Sequence, residues 1–502
     1  MSFDLIQGAN WLAAPLMAFL IMTPLDAAGA ATPQKVRRAG VAGSFYPADA
    51  KALSAMIDDL LAQAKVAPVT EPILAVVAPH AGYAYSGPVA AYAYAALKGR
   101  KYARVVVIAP SHFEGFDFTS IYDGDGYETP LGTVPVDKAF ARELAKTSGT
   151  MRLSDQGHKA TDAGVEHALE VQLPWLQKVL GDFELVPIVM GSQSYESSRA
   201  LGVSLAKMIQ GGDTLVVASS DLSHYHSYDE AVRLDRKTLG ALEAWDYLSM
   251  SRNFESRVWE ACGGAPIVAA MIAAERMGAH ETRVLRYANS GDVTGDRGQV
   301  VGYSAEVLVK AAGKTEDKPF ALSEGEKSEL LALARKSVEH IVRERKPLEP
   351  EESASETLHQ ERGAFVTLTE GGALRGCIGF TSPTMPLFMT VRDTATLAAL
   401  RDPRFEPVTA EELPHLEYEI SVLSPLRRVV DTGQIQVGRH GLLMKNGDHE
   451  GLLLPQVPVE QNWGRQKFLE QTCIKAGMRP DCWKEEGTDI FSFTAVVFGE
   501  HR

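Results

Sequence analysis

Apolar runs that end abruptly at polar residues dominate the first half of the chain. Residues 73–78 read Ile-Leu-Ala-Val-Val-Ala and stop at Pro79, His80 and Gly82. Residues 104–109 (Arg-Val-Val-Val-Ile-Ala) stop at Pro110, Ser111 and His112, and residues 214–218 (Thr-Leu-Val-Val-Ala) run into Ser219, Ser220, Asp221 and His224. A short continuous apolar run bounded by turn residues predicts a strand buried on both faces, as in a parallel sheet. Open α/β sheets hold their ligands outside the carboxyl ends of such strands. Three strands that deliver histidine to that edge are therefore the main functional signal.

The segments between these runs read as helices. Asp49 is placed to cap a helix whose apolar positions include Leu53, Met56, Leu60 and Leu61. Residues 88–97 are rich in Ala and Tyr and helical in character. Strand, helix and strand in alternation predict a largely parallel sheet flanked by helices. Residues 113–133 gain Gly and Asp, which predicts a surface excursion with turns rather than core. Residues 165–173 open a further helix with Pro174 near its start; the His-Glu-x-x-His spacing is missing, so a metalloprotease helix is rejected. His167 there is either a group that supports or contacts a ligand, or a solvated capping histidine. Residues 185–189 form another strand candidate. Cys262, Gly263 and Gly264 precede an apolar helix over 267–277, where the helix dipole favours a thiolate. Cys262 is thus a competent metal ligand, or else a small cysteine buried at a tight turn.

The pattern changes after residue 310. Residues 311–319 are small and charged without apolar periodicity, which predicts a linker over 311–322. Ser323 and Glu326 have capping-box spacing, and the helix they start runs through Leu330, Leu331 and Ala334 to Ile341. Alternation over 416–422 predicts a half-buried antiparallel strand, and Asn446-Gly447 between apolar runs predicts a hairpin. This second part is a smaller α+β domain over 323–502. Its Arg375, Gly376, Cys377 and Gly379 form either an anion- or substrate-binding turn, with Cys377 as nucleophile, or a strand bend in which Cys377 packs as a small apolar residue.

Composition narrows the choices. At 502 residues, 45% hydrophobic and 23% charged, the chain is too long for one core and is expected to form two or three domains. A net charge of −14 argues against a general electrostatic grip on nucleic acid. The four cysteines, Cys262, Cys377, Cys473 and Cys482, are too scattered for a disulfide scaffold and read as free thiols or ligands. Within a leader over 1–35, residues 11–25 are strongly apolar and are followed by small residues, like a signal peptide, but Asp4 and the lack of Lys or Arg before them argue against it. The protein is thus cytoplasmic or, with a cleaved leader, exported to the periplasm. The segment is short for a transmembrane span, and none is expected.

Strand ends that share a crevice make the histidines more than isolated loop residues. Two imidazoles and an anionic ligand with open coordination positions suit a redox or Lewis-acid metal; a carboxylate as third ligand favours non-haem iron, a thiolate softer ions such as copper. Asp221 and His224 then sit beside the metal as acid/base or supporting groups, although Asp221 after two serines also fits a helix cap.

Ala78-Pro79-His80-Ala81-Gly82-Tyr83, Pro110-Ser111-His112, Glu166-His167, the run from Ser219 to His224, and Cys262-Gly263 resemble the successive motifs of the Memo family over residues 36–310. That family is similar in fold to class III extradiol dioxygenases, whose site uses two histidines and a glutamate. The resemblance implies a metal triad of His80, His112 and Cys262, holding Fe(II) or copper, with Asp221 and His224 lining the site; His167, from its place beside Glu166, is a further candidate for the site. Cysteine where the dioxygenases have a carboxylate removes ring cleavage as an assumption. Arg375 to Gly379, Asp402-Pro403-Arg404-Phe405 and Asn462-Trp463 resemble the AMMECR domain. Joined in one chain, the two modules resemble proteins B and A of the AmmeMemoRadiSam system. This resemblance implies a radical-SAM partner, whose cluster the chain would not itself hold, as it has no Cys-x-x-x-Cys-x-x-Cys run. The function expected is metal-dependent oxidoreduction of a small-molecule or macromolecular substrate. The alternative is a non-catalytic metal-binding scaffold that recruits such a partner or a modification substrate.

Overall fold

Four strands, Ile73–Ala78, Thr214–Ser219, Arg104–Pro110 and Glu184–Met190, lie side by side in that order and all run parallel in the computed structural model, which describes residues 35–310, 320–350 and 352–500. The expected leader, save Lys35, and linker residues 311–319 lie outside the described residues. Alternate side chains enter two different cores: Ala75 and Val77 face one, Val76 and Ala78 the other. That is why these strands carry polar residues only at their ends. Small residues let the covering helices approach closely; Gly202 of helix Tyr195–Met208 lies against Ala269 and Ile272 of helix Gly264–Arg276.

Antiparallel pairings flank this parallel centre. Strand Val300–Val309 pairs antiparallel with Ile73–Ala78, and Thr119–Ile121 pairs antiparallel with Glu184–Met190. The second pairing corrects the reading of residues 113–133 as a surface excursion. Thr119, Ser120, Ile121 and Tyr122 are buried, because a sheet edge captures a stretch whose Gly and Asp residues only bound it.

The C-terminal part is α+β with antiparallel sheets. Ser323 and Glu326 cap helix Glu324–Glu344 reciprocally, as the spacing predicts. Strands Ala373–Phe380, Ala364–Glu370, Leu416–Leu423 and Ala495–Gly499 form one four-stranded sheet. A second sheet contains the hairpin Gly441–Asn446 and His449–Leu453, with Gly447 at φ 56° in its turn. Cys473 and Cys482, expected as free thiols or ligands, are instead joined in a disulfide. Helix Arg465–Lys475 and the turn at Cys482 fold into one small core, which brings two cysteines nine residues apart together.

The two parts share a core. Leu423, Leu426, Leu443, Phe491 and Phe493 pack with Leu201, Leu205, Tyr247 and Leu248 in one apolar cluster. At its edge the buried carboxylate of Asp489 receives Arg199 at 2.5 Å, Arg276 at 2.8 Å, Arg428 at 3.3 Å and the Tyr195 hydroxyl at 3.2 Å. Among the described residues no helix is long and apolar enough to cross a membrane.

Candidate metal centre

Parallel register aligns the strand ends. Ser219 stands opposite Ala78 and Ala218 opposite Ile108, so His80, His112 and Asp221 leave the sheet at one edge. There His80, His112 and Cys262 each offer a ligand atom, all within 4.8 Å of one another. Cys262 arrives from the other side, just before helix Gly264–Arg276. Its Sγ lies 3.0 Å from His80 Nε2 and accepts the Asp221 N–H at 3.2 Å.

Hydrogen bonds fix which nitrogens face the site. The Ser219 hydroxyl donates to the Ala168 carbonyl at 2.6 Å and receives the Gln172 amide at 2.7 Å. Its remaining lone pair accepts from His80 Nδ1 at 3.0 Å, which leaves the lone pair of His80 on Nε2, toward Cys262. His112 Nδ1 is 3.0 Å from Glu166 Oε1, so its Nε2 is likewise free. A carboxylate behind an imidazole fixes the ring and raises its basicity as a ligand. Glu166 also accepts the backbone N–H groups of His112 at 2.6 Å, His167 at 2.9 Å and Ala168 at 3.0 Å. Burial opposes its ionisation, but the His112 contacts and these N–H groups hold its pKa at about 2.

Burial, followed by the neighbouring His112, pushes the His80 pKa well below the usual imidazole range. Burial beside His80 and His112 takes His167 down to about 4. Both rings are thus neutral at pH 7, the form that binds a cation. The thiol departs from expectation: burial first, then the Asp221 carboxylate, push the Cys262 pKa up rather than down. Cys262 precedes the Gly263 cap of its helix and points into the fold, where desolvation outweighs the dipole. A cation beside the sulfur supplies the missing stabilisation of the thiolate. Two imidazoles with fixed lone pairs and a thiol that needs a counter-charge form a donor set that fits a borderline or soft metal ion.

His167 stacks on His112 at 4.8 Å and meets Phe45 at 4.5 Å. It does not lie on a helix as expected, because Glu166 turns the chain by binding the next two N–H groups, and a short 3₁₀ turn, Glu170–Gln172, precedes helix Leu173–Leu180. Asp221 is not a helix cap. Its Oδ1 accepts the N–H of His80 at 2.7 Å, tying two strand ends together. His224 completes the rim, with Asp221, His224 and Cys262 forming a second group within 4.8 Å.

The second set of expected residues lies elsewhere, on strand Ala373–Phe380 rather than in a turn. Arg375 forms a two-pronged pair with Glu412, at 2.6 and 3.1 Å. Gly376 admits the helix above it, since a Cβ there would stand 2.3 Å from the Ala398 carbonyl; Gly379 lies under the Phe365 ring. Cys377 is partly buried, takes a hydrogen bond from Thr367 at 3.3 Å, and burial raises its pKa. Sequence reading missed Gln172 and the structural roles of Ser219 and Glu166. For Glu166 the signal was present, since it is the acid directly before His167.

Residues 37–307 match the family described as Memo-like protein, and residues 331–498 match AMMECR1. The MEMO1 family protein MTH_45 of Methanothermobacter thermautotrophicus is 38% identical over 279 residues, 54% of this chain and 99% of that protein. Protein TK0174 of Thermococcus kodakarensis is 46% identical over 181 residues, 34% of this chain and 88% of that protein. Among solved structures, the uncharacterized protein PH0010 of Pyrococcus horikoshii is 42% identical and aligns with 34% of this chain and 90% of its own, at a TM-score of 0.34. The chain belongs to the Memo-like protein family and carries an AMMECR1 domain behind the Memo part.

Proposed function

We propose that the protein is a metal-dependent oxidoreductase in which His80 Nε2, His112 Nε2 and Cys262 Sγ hold one Fe(II) or copper ion. The observation that carries this reading is the hydrogen-bond order behind the rings: Ser219 and Glu166 each take the Nδ1 proton and leave Nε2 as the lone pair at the site. When bound, the metal would supply Lewis acidity and would relay electrons from an oxidisable small group to O₂. Glu166 holds His112 in place, and Asp221 holds the backbone of His80. His224 donates Nδ1–H to the Leu222 carbonyl at 2.8 Å, so its Nε2 is free to take a proton from a substrate and return it. Phe45 and Phe113 pack against His167 and give one side of the cup an apolar wall.

In this reading the AMMECR1 domain recognises a ligand around Cys377, with Arg375, Gly376 and Gly379 shaping the surface, and a radical-SAM protein is the partner in an AmmeMemoRadiSam-type pathway. The test is oxygen uptake by protein reconstituted with Fe(II) or Cu(I), against a panel of phenols, thiols and reduced heterocycles. Uptake with one class, lost in His80→Ala, supports an oxidoreductase. Metal retention without uptake toward any class favours the scaffold that recruits partners.

A further inference from the structure

Among the described residues, five other than glycine hold a left-handed backbone, and four of these sit where a helix ends. Trp245 and Arg345 cap their helices, and Arg257 and Asn462 follow the caps Ser256 and Gln461. Tyr225 is different. At φ 61° it lies inside the short strand His224–His226, which pairs irregularly with Val300 and Val301. A bulky residue is costly in that conformation and persists only where its surroundings hold it. The ring is 70% exposed, so its own packing does little to hold it.

One carboxylate grips the chain on both sides of the strained residue. Glu260 Oε2 accepts the His224 N–H at 3.3 Å, and Oε1 lies 3.0 Å from His226 Nε2. On the other side of that ring, Glu230 faces Nδ1 at 3.6 Å, with Arg233 at 3.6 Å from its second oxygen. Both ring nitrogens face carboxylates, and only the imidazolium carries a proton for each. The hydrogen bond to Glu260, then the charges of Glu260 and Glu230, raise the His226 pKa above its ordinary 6.5 against slight burial.

We propose that His226, as an imidazolium clamped between Glu260 and Glu230, is a positioning residue that holds the strained turn at Tyr225 and so aims His224 into the cup. The inference rests on the reading above in which His224 moves protons, and it adds a control on that residue. The Leu222 carbonyl fixes the His224 tautomer, while the clamp fixes its backbone. Below pH 6.5 the clamp is fully closed. As pH rises through the His226 titration, the ring loses a proton, turns a lone pair toward a carboxylate, and the turn relaxes.

The experiment is limited chymotrypsin cleavage after Tyr225 in the full chain without added metal, followed by mass spectrometry across pH and normalised to an unfolded peptide, beside histidine side-chain NMR. Wild-type cleavage is expected to be slow at low pH and to rise several-fold as His226 titrates, with the His224 ring signals moving in step. His226→Arg keeps the cation at every pH and is expected to stay slow. His226→Gln and Glu260→Gln remove the clamp and are expected to be cleaved fast at every pH; if one does not fold, the other decides. Wild-type cleavage and His224 signals that ignore the His226 titration overturn the proposal, as does a folded clamp variant cleaved as slowly as wild type at low pH. Neither readout needs bound metal, so such a result leaves the oxidoreductase reading standing, and absence of oxygen uptake leaves the clamp standing.

Discussion

Replacing Glu166 by Gln tests whether the carboxylate behind His112 governs metal binding. Glu166 Oε1 accepts from His112 Nδ1 and from the N–H groups of His167 and Ala168, and Oε2 accepts the His112 N–H at 2.6 Å. An amide satisfies at most one of these two sets, and its NH₂ faces the other. In its better orientation it leaves one buried N–H unpaired, at about 1–3 kcal/mol. It also replaces a charged acceptor behind His112 by a neutral one, and loss of such a partner weakens metal affinity by roughly 10- to 100-fold, or about 1.4–2.7 kcal/mol. Folding suffers as well. The Glu166 pKa of about 2 lies below its ordinary 4.5, so its stabilisation is present above pH 4.5 and lost as pH falls toward 2. At pH 7 that is on the order of 3 kcal/mol. Affinity is therefore measured by competition with a chromophoric chelator on protein whose folded fraction is established by circular dichroism. Folded Glu166→Gln with wild-type affinity would refute the argument that this carboxylate orients a metal ligand.

Other consequences are equally direct. Glu306 is fully buried with neither carboxylate oxygen partnered, and burial lifts its pKa to about 8, so stability falls as pH rises from about 4.5 to 8. Glu306→Gln should flatten that slope, gaining up to roughly 5 kcal/mol at pH 8 relative to pH 4; urea midpoints across pH that move in parallel with wild type would contradict it. Asp489→Ala leaves Arg199, Arg276 and Arg428 facing one another at the shared core and should cost about 3–5 kcal/mol. Denaturant unfolding that changes by less than about 1 kcal/mol would show the cluster to be dispensable. Gly263→Ala would place a Cβ 2.2 Å from the Ser219 carbonyl, so the Cys262 loop must move. A loss of about 1–3 kcal/mol and a weakened thiolate-to-cobalt band are expected, read by thermal melting and absorption; an unchanged band would mean that the loop tolerates the shift.

The sequence shows the centre of the first part more clearly than its margins. Runs such as 105–109 are buried on both faces and carry no polar residue, so they announce themselves. Short outer strands do not: Thr119–Ile121 is three residues long and reads as part of a polar loop, because only its pairing to Glu184–Met190 and Met151–Leu153 buries it. His80, His112, Asp221 and His224 were legible because each follows an apolar run. Cys262 was legible as a ligand, but not its protonation, since desolvation depends on what closes over the thiol. Ser219 and Gln172 were hidden because their part is to hold a tautomer, which leaves no spacing pattern. The Asp489 cluster joins residues nearly 300 positions apart, and nothing local to Asp489 or to Arg199 points to the other.

The most direct measurement is metal content by mass spectrometry on protein purified without oxygen, with wild type beside His80→Ala and Cys262→Ala. The account predicts iron or copper at one equivalent or more in wild type, with at least one equivalent lost in each variant. Wild type without metal even after reconstitution, or variants that retain the full amount while folded, would contradict it.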